Sequence, residues 1–364
     1  MVKFCCTPNR KVPEKTSVIL FAVICCLVSC GTRGEKISFT DFEHEYELKA
    51  EYAGIEENYR YSIIHPYDSL YILTNNPMDT HQIHLYDKNF EYIVSSGITG
   101  KGPGEIINPF WAALDDENGI IWFLDMGRRE FLKYPVDQII NNPGFIPSES
   151  IPLPDDVSMI VDYKPHGKDL FSFADVDSDD VLVSFFNNEG KIIESLTRSE
   201  ELDNLIDINE TYPPVPTYIY EKHPVKDLYV VAYRFSDIIA IIDREGNVIA
   251  SVQGPDMINQ VPDGSNDRQK RTYSFIRCNE NYIFAHYLGG YQLDEDMNYF
   301  YPKYIHVFDW EANPVARLIL DDQLSSFTID NKEMRIMGFS HTRGDILFYY
   351  LPDESPLNLS QSKE

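Results

Sequence analysis

The part of the chain that follows residue 29 contains almost no cysteine. Four of the six cysteines lie within the first 29 residues, and only Cys30 and Cys278 come after them. A disulfide framework and a zinc ribbon both require several closely spaced cysteines. Neither is therefore expected in the folded part of the protein.

Basic residues are also scarce. The sequence has 31 Lys and Arg against 58 Asp and Glu, which gives a formal net charge of −27. Proteins that bind nucleic acids need Lys and Arg to displace the counterions of the phosphate backbone. We therefore expect no nucleic-acid partner. A solvated acidic surface is the favoured reading of the charge, and binding of a cation or a basic partner is the alternative.

Motifs of catalysis and metal binding are missing. The string closest to Gly-x-Ser-x-Gly, at Gly338–Thr342, lacks the second glycine. The acidic run Asp175–Asp180 has Asp180 where a calcium loop needs glycine, and Phe186 where it needs a bidentate glutamate. This run predicts a hairpin turn, and the sequence predicts no metal ligand.

The N-terminus is laid out as a secretory signal. Basic residues precede an apolar run, Val18–Val28, which is shorter than the ~20 residues that a membrane-spanning helix needs. The segment Leu27–Cys30 resembles the bacterial lipobox, which implies cleavage after Ser29 and a lipid on Cys30. We expect a signal peptide at 1–29, a lipidated cysteine with a flexible tether at 30–36, and a location at the cell envelope, on the periplasmic or surface face of the outer membrane. A plain secretory signal with a chance cysteine is the alternative.

The remainder shows little helical periodicity. Short β-branched and aromatic runs alternate with turn residues, and the 24 Tyr and 21 Phe suit pleated sheets. A unit of strands, with an apolar-apolar-Asp/Asn step before a tight turn, recurs along the chain. Its five full copies and a partial sixth begin at Asp68, Gly119, Asp169, Asp227, Asn281 and Met334.

This repeat predicts an all-β, six-bladed β-propeller over residues 37–352, followed by a polar tail at 353–364. The sixth unit is short by one strand, so an N-terminal strand within Ile37–Phe42 or Tyr46–Tyr52 is expected to close the ring. A β-sandwich or two β domains are the alternatives. Binding specificity is expected in the long loops, which are Asn142–Asp156, Ser199–Val215, Gly254–Arg271 and Leu288–Tyr301.

A glycine-rich segment carries a resemblance to a known family. The run Gly100–Ile106 (GKGPGEI), with Pro109 and the strand Ile121–Asp125 after it, resembles the TolB-like six-bladed propeller lipoproteins of Bacteroidota. The match covers the lipobox and Tyr59–Tyr134 well, and the rest by blade pattern. One departure, Tyr134-Pro135 in place of an Asp-x-x-Gly turn, leaves the register of that blade open. The resemblance implies a fold and a location but no established activity.

Two groups of residues are candidate binding sites. Lys101 and Glu105 bracket the glycine loop, which is either an anion contact at the mouth of the ring or a blade-to-blade crossover that needs glycine for close packing. The second group is aromatic and lies around Gly289-Gly290, where it either stacks a sugar or peptide or packs as ordinary strand residues. The full set of candidates is Lys101, Glu105, Trp111, Asp125, Arg128, Tyr287, Tyr291, Tyr299 and Tyr301.

We therefore predict a binding or scaffold protein without catalysis or cofactor, which is anchored to a membrane by its lipid and holds a peptide, glycan or envelope protein. The alternative is a calcium-dependent lactonase or sugar dehydrogenase, which would require several carboxylates and Asn side chains around one metal in the central channel. A third possibility is an accessory subunit of a glycan importer.

Overall fold

The computed structural model describes residues 36–55, 63–74, 79–157, 160–167, 170–175, 180–206, 218–260, 269–293, 298–340, 342–352 and 355–357. Cys30, the signal peptide and the tether up to residue 35 lie outside this part of the chain. Among these residues, no helix has the length and apolar character needed to cross a membrane.

The described chain begins with three short strands and continues into the first half of a ring of sheets. The N-terminal strands are β1 (Lys36–Ser38), β2 (Glu45–Leu48) and β3 (Glu51–Tyr52). Blade 1 contains β4 (Ile63–Tyr67), β5 (Leu70–Thr74), β6 (His81–Asp87) and β7 (Tyr92–Ile98). Blade 2 contains β8 (Pro109–Asp115), β9 (Ile120–Asp125), β10 (Glu130–Pro135), α1 (Val136–Asn141) and β11 (Ser150–Pro152). Blade 3 contains β12 (Ile160–Pro165), β13 (Leu170–Asp175), β14 (Val181–Asn187) and β15 (Ile192–Thr197).

The second half of the ring follows a short helix, α2 (Glu200–Asp203). Blade 4 contains β16 (Tyr218–Lys222), β17 (Leu228–Tyr233), β18 (Ile238–Asp243) and β19 (Val248–Gln253). Blade 5 contains β20 (Lys270–Cys278), β21 (Tyr282–Tyr291), β22 (Tyr304–Asp309) and β23 (Pro314–Leu320). Blade 6 contains β24 (Leu324–Asp330), β25 (Arg335–Ser340) and β26 (Asp345–Tyr350).

Within each blade, consecutive strands pair antiparallel, and the first strand is the innermost. We call the face where these innermost strands begin the top face, and the face where they end the bottom face. Six hydrophobic clusters fill the interfaces between neighbouring blades, including the interface of blade 6 with blade 1, where Phe348 packs near Tyr71. The predicted closed six-bladed propeller is therefore confirmed.

The repeated apolar-apolar-Asp/Asn step has a local physical cause. At the end of the third strand, one side-chain oxygen accepts hydrogen bonds from the backbone N–H groups two and four residues later, at 2.8–3.1 Å, and so folds the chain into the next strand. The residues that do this are Asp87, Asn187, Asp243 and Asp309.

The N-terminal strands run along the outer edges of three successive blades. β1 pairs parallel with β19, β2 pairs parallel with β23, and β3 pairs antiparallel with β26 as the fourth strand of blade 6. The prediction of an N-terminal closing strand is confirmed for the segment Tyr46–Tyr52. Residues of the other candidate segment, Ile37–Phe42, extend blade 4, and Phe42 is buried between blades 4 and 5.

The Tyr134-Pro135 step leaves the pairing of β10 with β9 in blade 2 regular, although β8 pairs with β9 through a shift between Pro109 and Trp111. Residues Glu130–Pro135 pair with Ile120–Asp125 without a shift. Because α1 begins directly after Pro135, the outermost strand is delayed to β11, which lies in the segment 142–156 that was expected to be a loop.

Candidate functional site

The innermost strands of the six blades surround a central cavity of about 260 Å³. Where this cavity meets a wider vestibule of about 600 Å³ at the bottom face, six residues, one from each innermost strand, border both spaces, as does Pro165 next to one of them. We call these six residues the charged ring. They are His65, Leu114, Lys164, Glu221, Arg277 and Thr328.

Ion pairs link three blades across the charged ring. Lys164 Nζ lies 3.2 Å from Asp162 Oδ2 and 3.1 Å from Glu221 Oε2. Arg277 Nη1 lies 3.8 Å from the same Glu221 oxygen and donates a hydrogen bond to the Ile276 carbonyl. Burial alone would lower the pKa of Lys164, but the two carboxylates outweigh it and hold this pKa above its ordinary value. The lysine therefore stays charged, and together with Arg277 it balances the two acids.

His65 supplies the one imidazole of the ring. Burial, and to a lesser degree the charge of Arg277, lower the pKa of His65 to about 3, so the side chain is neutral at physiological pH. Its Nε2 atom is buried and has no hydrogen-bond partner.

Above the charged ring, towards the top face, the walls of the cavity are mostly apolar, although Asp162 of blade 3 also lines them. We call this level the apolar tier, and its members come from blades 1, 2, 4 and 5. They are Ile63, Trp111, Ala112, Ile219 and Phe275. Trp111 and Phe275 are only half-buried, so their rings are available to pack against a molecule in the cavity.

Arg234 lies at the upper end of the cavity. It directly follows β17, and its backbone carbonyl accepts a hydrogen bond from Thr272 N at 2.9 Å, which fixes its position. The side chain lines the cavity and is half-buried. Burial lowers the pKa of Arg234, and the charge of Asp162 opposes that shift. In the part of the chain that the structure describes, its guanidinium forms no hydrogen bond and no ion pair within 4 Å.

Sequence comparison identifies the family of this channel-bearing ring. A family profile described as TolB-like 6-blade propeller-like matches residues 48–332. The chain belongs to this family. The resemblance inferred from the glycine loop is thereby confirmed, whereas lipidation stays a prediction. A search of curated proteins gave no match.

Solved structures similar to this TolB-like propeller share its fold at low identity. A putative exported protein from Bacteroides fragilis is 12% identical, with a TM-score of 0.54, and the match covers 86% of this chain and 99% of that one. A member of the DUF4221 family from Bacteroides vulgatus is 9% identical, with a TM-score of 0.61 and coverage of 83% and 95%. The RRP9 WD40 repeats are 7% identical, with a TM-score of 0.51 and coverage of 86% and 100%.

The glycine loop of the TolB-like propeller crosses from blade 1 to blade 2 at the top face. Glu105 accepts a hydrogen bond from Gly102 N at 2.6 Å, so its carboxylate lies inside the loop. A Cβ atom on Gly102 would lie 2.7 Å from Glu105 Cδ, and one on Gly100 would collide with the same carboxylate. The glycines thus make room for Glu105, while Lys101 is exposed to solvent.

Asp125 and Arg128 hold the same crossover in place. The Asp125 carboxylate is fully buried and accepts hydrogen bonds from the backbone N–H groups of Ile107, Asn108 and Gly127, each at 2.9 Å. Arg128 lies 3.4 Å from Asp125 and donates to the Gly102 carbonyl. Of this candidate group, only Trp111 borders the channel cavity.

The four candidate tyrosines lie in blade 5 and are not equivalent. Tyr287 is buried, donates a hydrogen bond to Asp256 Oδ2 at 2.6 Å, and stacks on His306. Tyr291 and Tyr299 are more than half exposed, and the Tyr299 and Tyr301 rings lie 6.5 Å apart. Tyr287 therefore packs inside the blade, whereas Tyr291 lies exposed at the end of β21, and Tyr299 and Tyr301 lie together in the segment before β22.

The charged ring and Arg234 were missed in the sequence because they lack a motif. The repeat was recognised from the second, third and fourth strands of each blade, whereas the ring residues lie on the first. A usable signal is the short extended stretch directly before each recognised second strand. In such strands alternate residues face the same side, as Asp162 and Lys164 both face the channel.

No three His, Cys, Asp or Glu side chains converge as metal ligands within the described ranges. The two acids of the channel, Asp162 and Glu221, are both bound by Lys164.

Proposed function

We propose that this TolB-like propeller is an exported, lipid-anchored protein of the cell envelope that binds a small ligand in its central channel and does not transform it. The observation that carries this proposal is the build of the cavity. Half-buried aromatic rings stand above the charged ring, and the two acids of the cavity already have cationic partners. The cavity thus combines apolar walls with polar groups in fixed positions, as ligand-binding pockets do.

The anchoring part of the proposal is supported by the lipobox and by the start of the fold. Only five residues separate Cys30 from Lys36, where β1 joins blade 4. At ~3.5 Å per extended residue, this tether would keep the edge of blade 4 within about 20 Å of the lipid. The similar Bacteroides fragilis protein is described as a putative exported protein, which agrees with such a location.

A calcium-dependent lactonase or sugar dehydrogenase is the less supported alternative. Such an enzyme would require several carboxylate and amide oxygens that are free to bind a hard cation. Here Lys164 occupies an oxygen of both Asp162 and Glu221, and Arg277 adds a second positive charge beside Glu221. A cation would have to displace Lys164 from the channel, so the geometry favours a binding protein.

Anchoring is tested by mass spectrometry of the N-terminal peptide of protein purified from its native membranes. We expect diacylglycerol on Cys30 and cleavage after Ser29. The Cys30→Ala variant should lose the lipid and leave the membrane fraction, whereas the Cys278→Ala variant should keep both. An unmodified Cys30 in mature protein would exclude this part of the proposal.

Binding is tested by the melting temperature, because a ligand of the folded state must raise it. Maltooligosaccharides, tripeptides and calcium chloride should be compared, with Trp111 fluorescence as the report of channel occupancy and Trp111→Phe as the control that removes it. A compound that raises the melting temperature and changes Trp111 emission supports the proposal. A calcium-specific rise would favour the enzyme alternative instead.

A further inference from the structure

The inner cavity of the channel, taken without its vestibule, is lined by one more cationic side chain than acidic ones. The charged side chains that line the cavity are Asp162 and Glu221 against Lys164, Arg277 and Arg234. This excess occurs inside a chain whose net charge is −27. A surplus cation in an acidic protein is a local feature, and it indicates a preference for an anion at this place.

Among the three cations, Arg234 is the one without a counterion. Lys164 is held by two carboxylates at 3.2 and 3.1 Å, and Arg277 is held by Glu221 and the Ile276 carbonyl. The Arg234 guanidinium forms neither contact with any described residue. Removing a cation from water without a direct partner is unfavourable, and the charge of Asp162 acts on Arg234 only from beyond contact distance. An anion in direct contact with the guanidinium would therefore be favoured.

The surroundings of Arg234 define which anion fits. A guanidinium presents two parallel N–H groups that match the two oxygens of a carboxylate. Below it lie the walls of the apolar tier, including Trp111 and Phe275, which would cover a hydrocarbon or aromatic body. At about 260 Å³ the cavity is at the small end of ligand pockets. A single unpaired cation suits a monovalent anion better than a dianionic phosphate.

We propose that the channel binds a small organic acid, whose carboxylate pairs with Arg234 and whose apolar body lies between Trp111 and Phe275. This inference rests on the proposed binding role of the channel and adds the chemical class of the ligand. The carboxylate belongs either to a free acid or to the C-terminus of a short peptide, since both present the same group.

The test uses full-length protein purified in detergent and a matched pair of probes, 3-phenylpropionate and its neutral amide, 3-phenylpropionamide. We expect the acid to bind at least about tenfold more tightly than the amide, by calorimetry and by Trp111 emission. Arg234→Gln should reduce the affinity for the acid to that for the amide. Lys303→Gln removes a positive charge from an exposed site before β22, near the top face, and should change neither affinity.

A second pair of probes separates the two sources of the carboxylate. The tripeptide Gly-Gly-Phe and its C-terminal amide carry the same apolar end as the first pair. Tighter binding of the free tripeptide than of 3-phenylpropionate would indicate a peptide terminus, and the reverse order would indicate a free acid. In both cases Arg234→Gln should abolish the preference for the charged form.

The structural role of Arg234 is controlled by the melting temperature of the unliganded protein. Because its guanidinium has no partner to lose, Arg234→Gln should melt at the same temperature as the wild type or higher. A large decrease would show that Arg234 holds the blade together, and would overturn the inference.

The inference and the proposed function fail in different ways. If acid and amide bind equally well, or if Arg234→Gln keeps the preference for the acid, the channel is a binding site but not an acid-binding site. If neither probe binds at millimolar concentration, the inference is wrong. If, in addition, native mass spectrometry of protein from its own membranes shows no bound small molecule, the proposed binding role is wrong as well.

Discussion

The glycine-rich crossover and the central channel contain similar residues but use them differently. In the crossover, Glu105 and Asp125 accept hydrogen bonds from backbone N–H groups, and Arg128 donates to a carbonyl of the same loop. In the channel, Arg234 has no such partner among the described residues, and His65 Nε2 is buried without one. The polar groups that hold the crossover together are paired, whereas the Arg234 guanidinium and the neutral His65 imidazole nitrogen are not.

The two regions also differ in whether a short sequence motif marks them. The crossover needs glycines at fixed positions because a Cβ atom on Gly102 would meet Glu105, so it forms a visible motif. The channel only needs side chains that point inward from six separate strands. It is assembled from positions far apart in the chain, and no short motif marks it.

The largest effect that would test this comparison is expected at Asp125. Asp125→Ala leaves three backbone N–H groups without the fully buried acceptor of the crossover, and Arg128 without its ion pair. We expect a loss of about 3 to 5 kcal/mol in the free energy of unfolding, measured by urea denaturation. Probe affinity of the folded fraction should not change. A loss below about 1 kcal/mol would contradict the structural role assigned to the crossover.

Acidification should lower the free energy of unfolding through His65, which lies in the channel. Its folded-state pKa is about 3, below the ordinary 6.5, so the unfolded state binds more protons between these values. Stability should therefore decrease as the pH falls below 6.5, by about 2 kcal/mol from this residue at pH 5. His65→Gln should reduce the slope of unfolding free energy against pH in that range. An unchanged slope in the variant would exclude this assignment.

A third region, around Asp237, extends the comparison. Its carboxylate also lacks a hydrogen-bond partner among the described residues, but it is inaccessible to solvent and to a ligand. Asp237 is fully buried, neither carboxylate oxygen makes a hydrogen bond of good geometry, and burial raises its pKa to about 6. The folded state then binds more protons than the unfolded state, so stability should fall as the pH rises from about 4 to about 6. Asp237→Asn should stabilise the protein at pH 7 by about 1 to 2 kcal/mol. A variant that is less stable than the wild type at pH 7 would contradict this.

The smallest effect is expected at Glu105. Glu105→Gln keeps an acceptor for Gly102 N but removes its charge, so the hydrogen bond weakens without being lost. We expect a decrease of about 0.5 to 1 kcal/mol in unfolding free energy and no change in probe affinity. If this substitution instead reduced the affinity for 3-phenylpropionate, the crossover would have to be counted as part of the binding site.

The fold could be predicted from the sequence because the residues that form its turns are local in the chain and recur in successive blades. The Asp or Asn that ends each third strand forms the next turn by itself, as Asp243 and Asp309 show, so the same letters return in successive blades. The closing strand was predictable because the sixth repeat is incomplete. α1 and the delayed β11 were not, since an insertion within one blade follows no repeat.

The candidate site was predictable only at Trp111. Glycine, charge and aromatic clusters drew attention to loops of the top face, where Asp125 and Tyr287 have structural partners. Lys164, Glu221 and Arg277 meet only when blades 3, 4 and 5 are assembled. Their meeting depends on the closure of the ring, which no local sequence window contains.

The N-terminal strands have a consequence for how the protein matures. Lys36 lies opposite Ser251, and Tyr52 lies opposite Leu347, so these N-terminal strands find their partners only after nearly the whole chain has been synthesised. Such distant pairings make ring formation slow relative to helix or hairpin formation. A newly made molecule would therefore keep its ring open between blades 6 and 1 until the C-terminal half of the chain is available to close it.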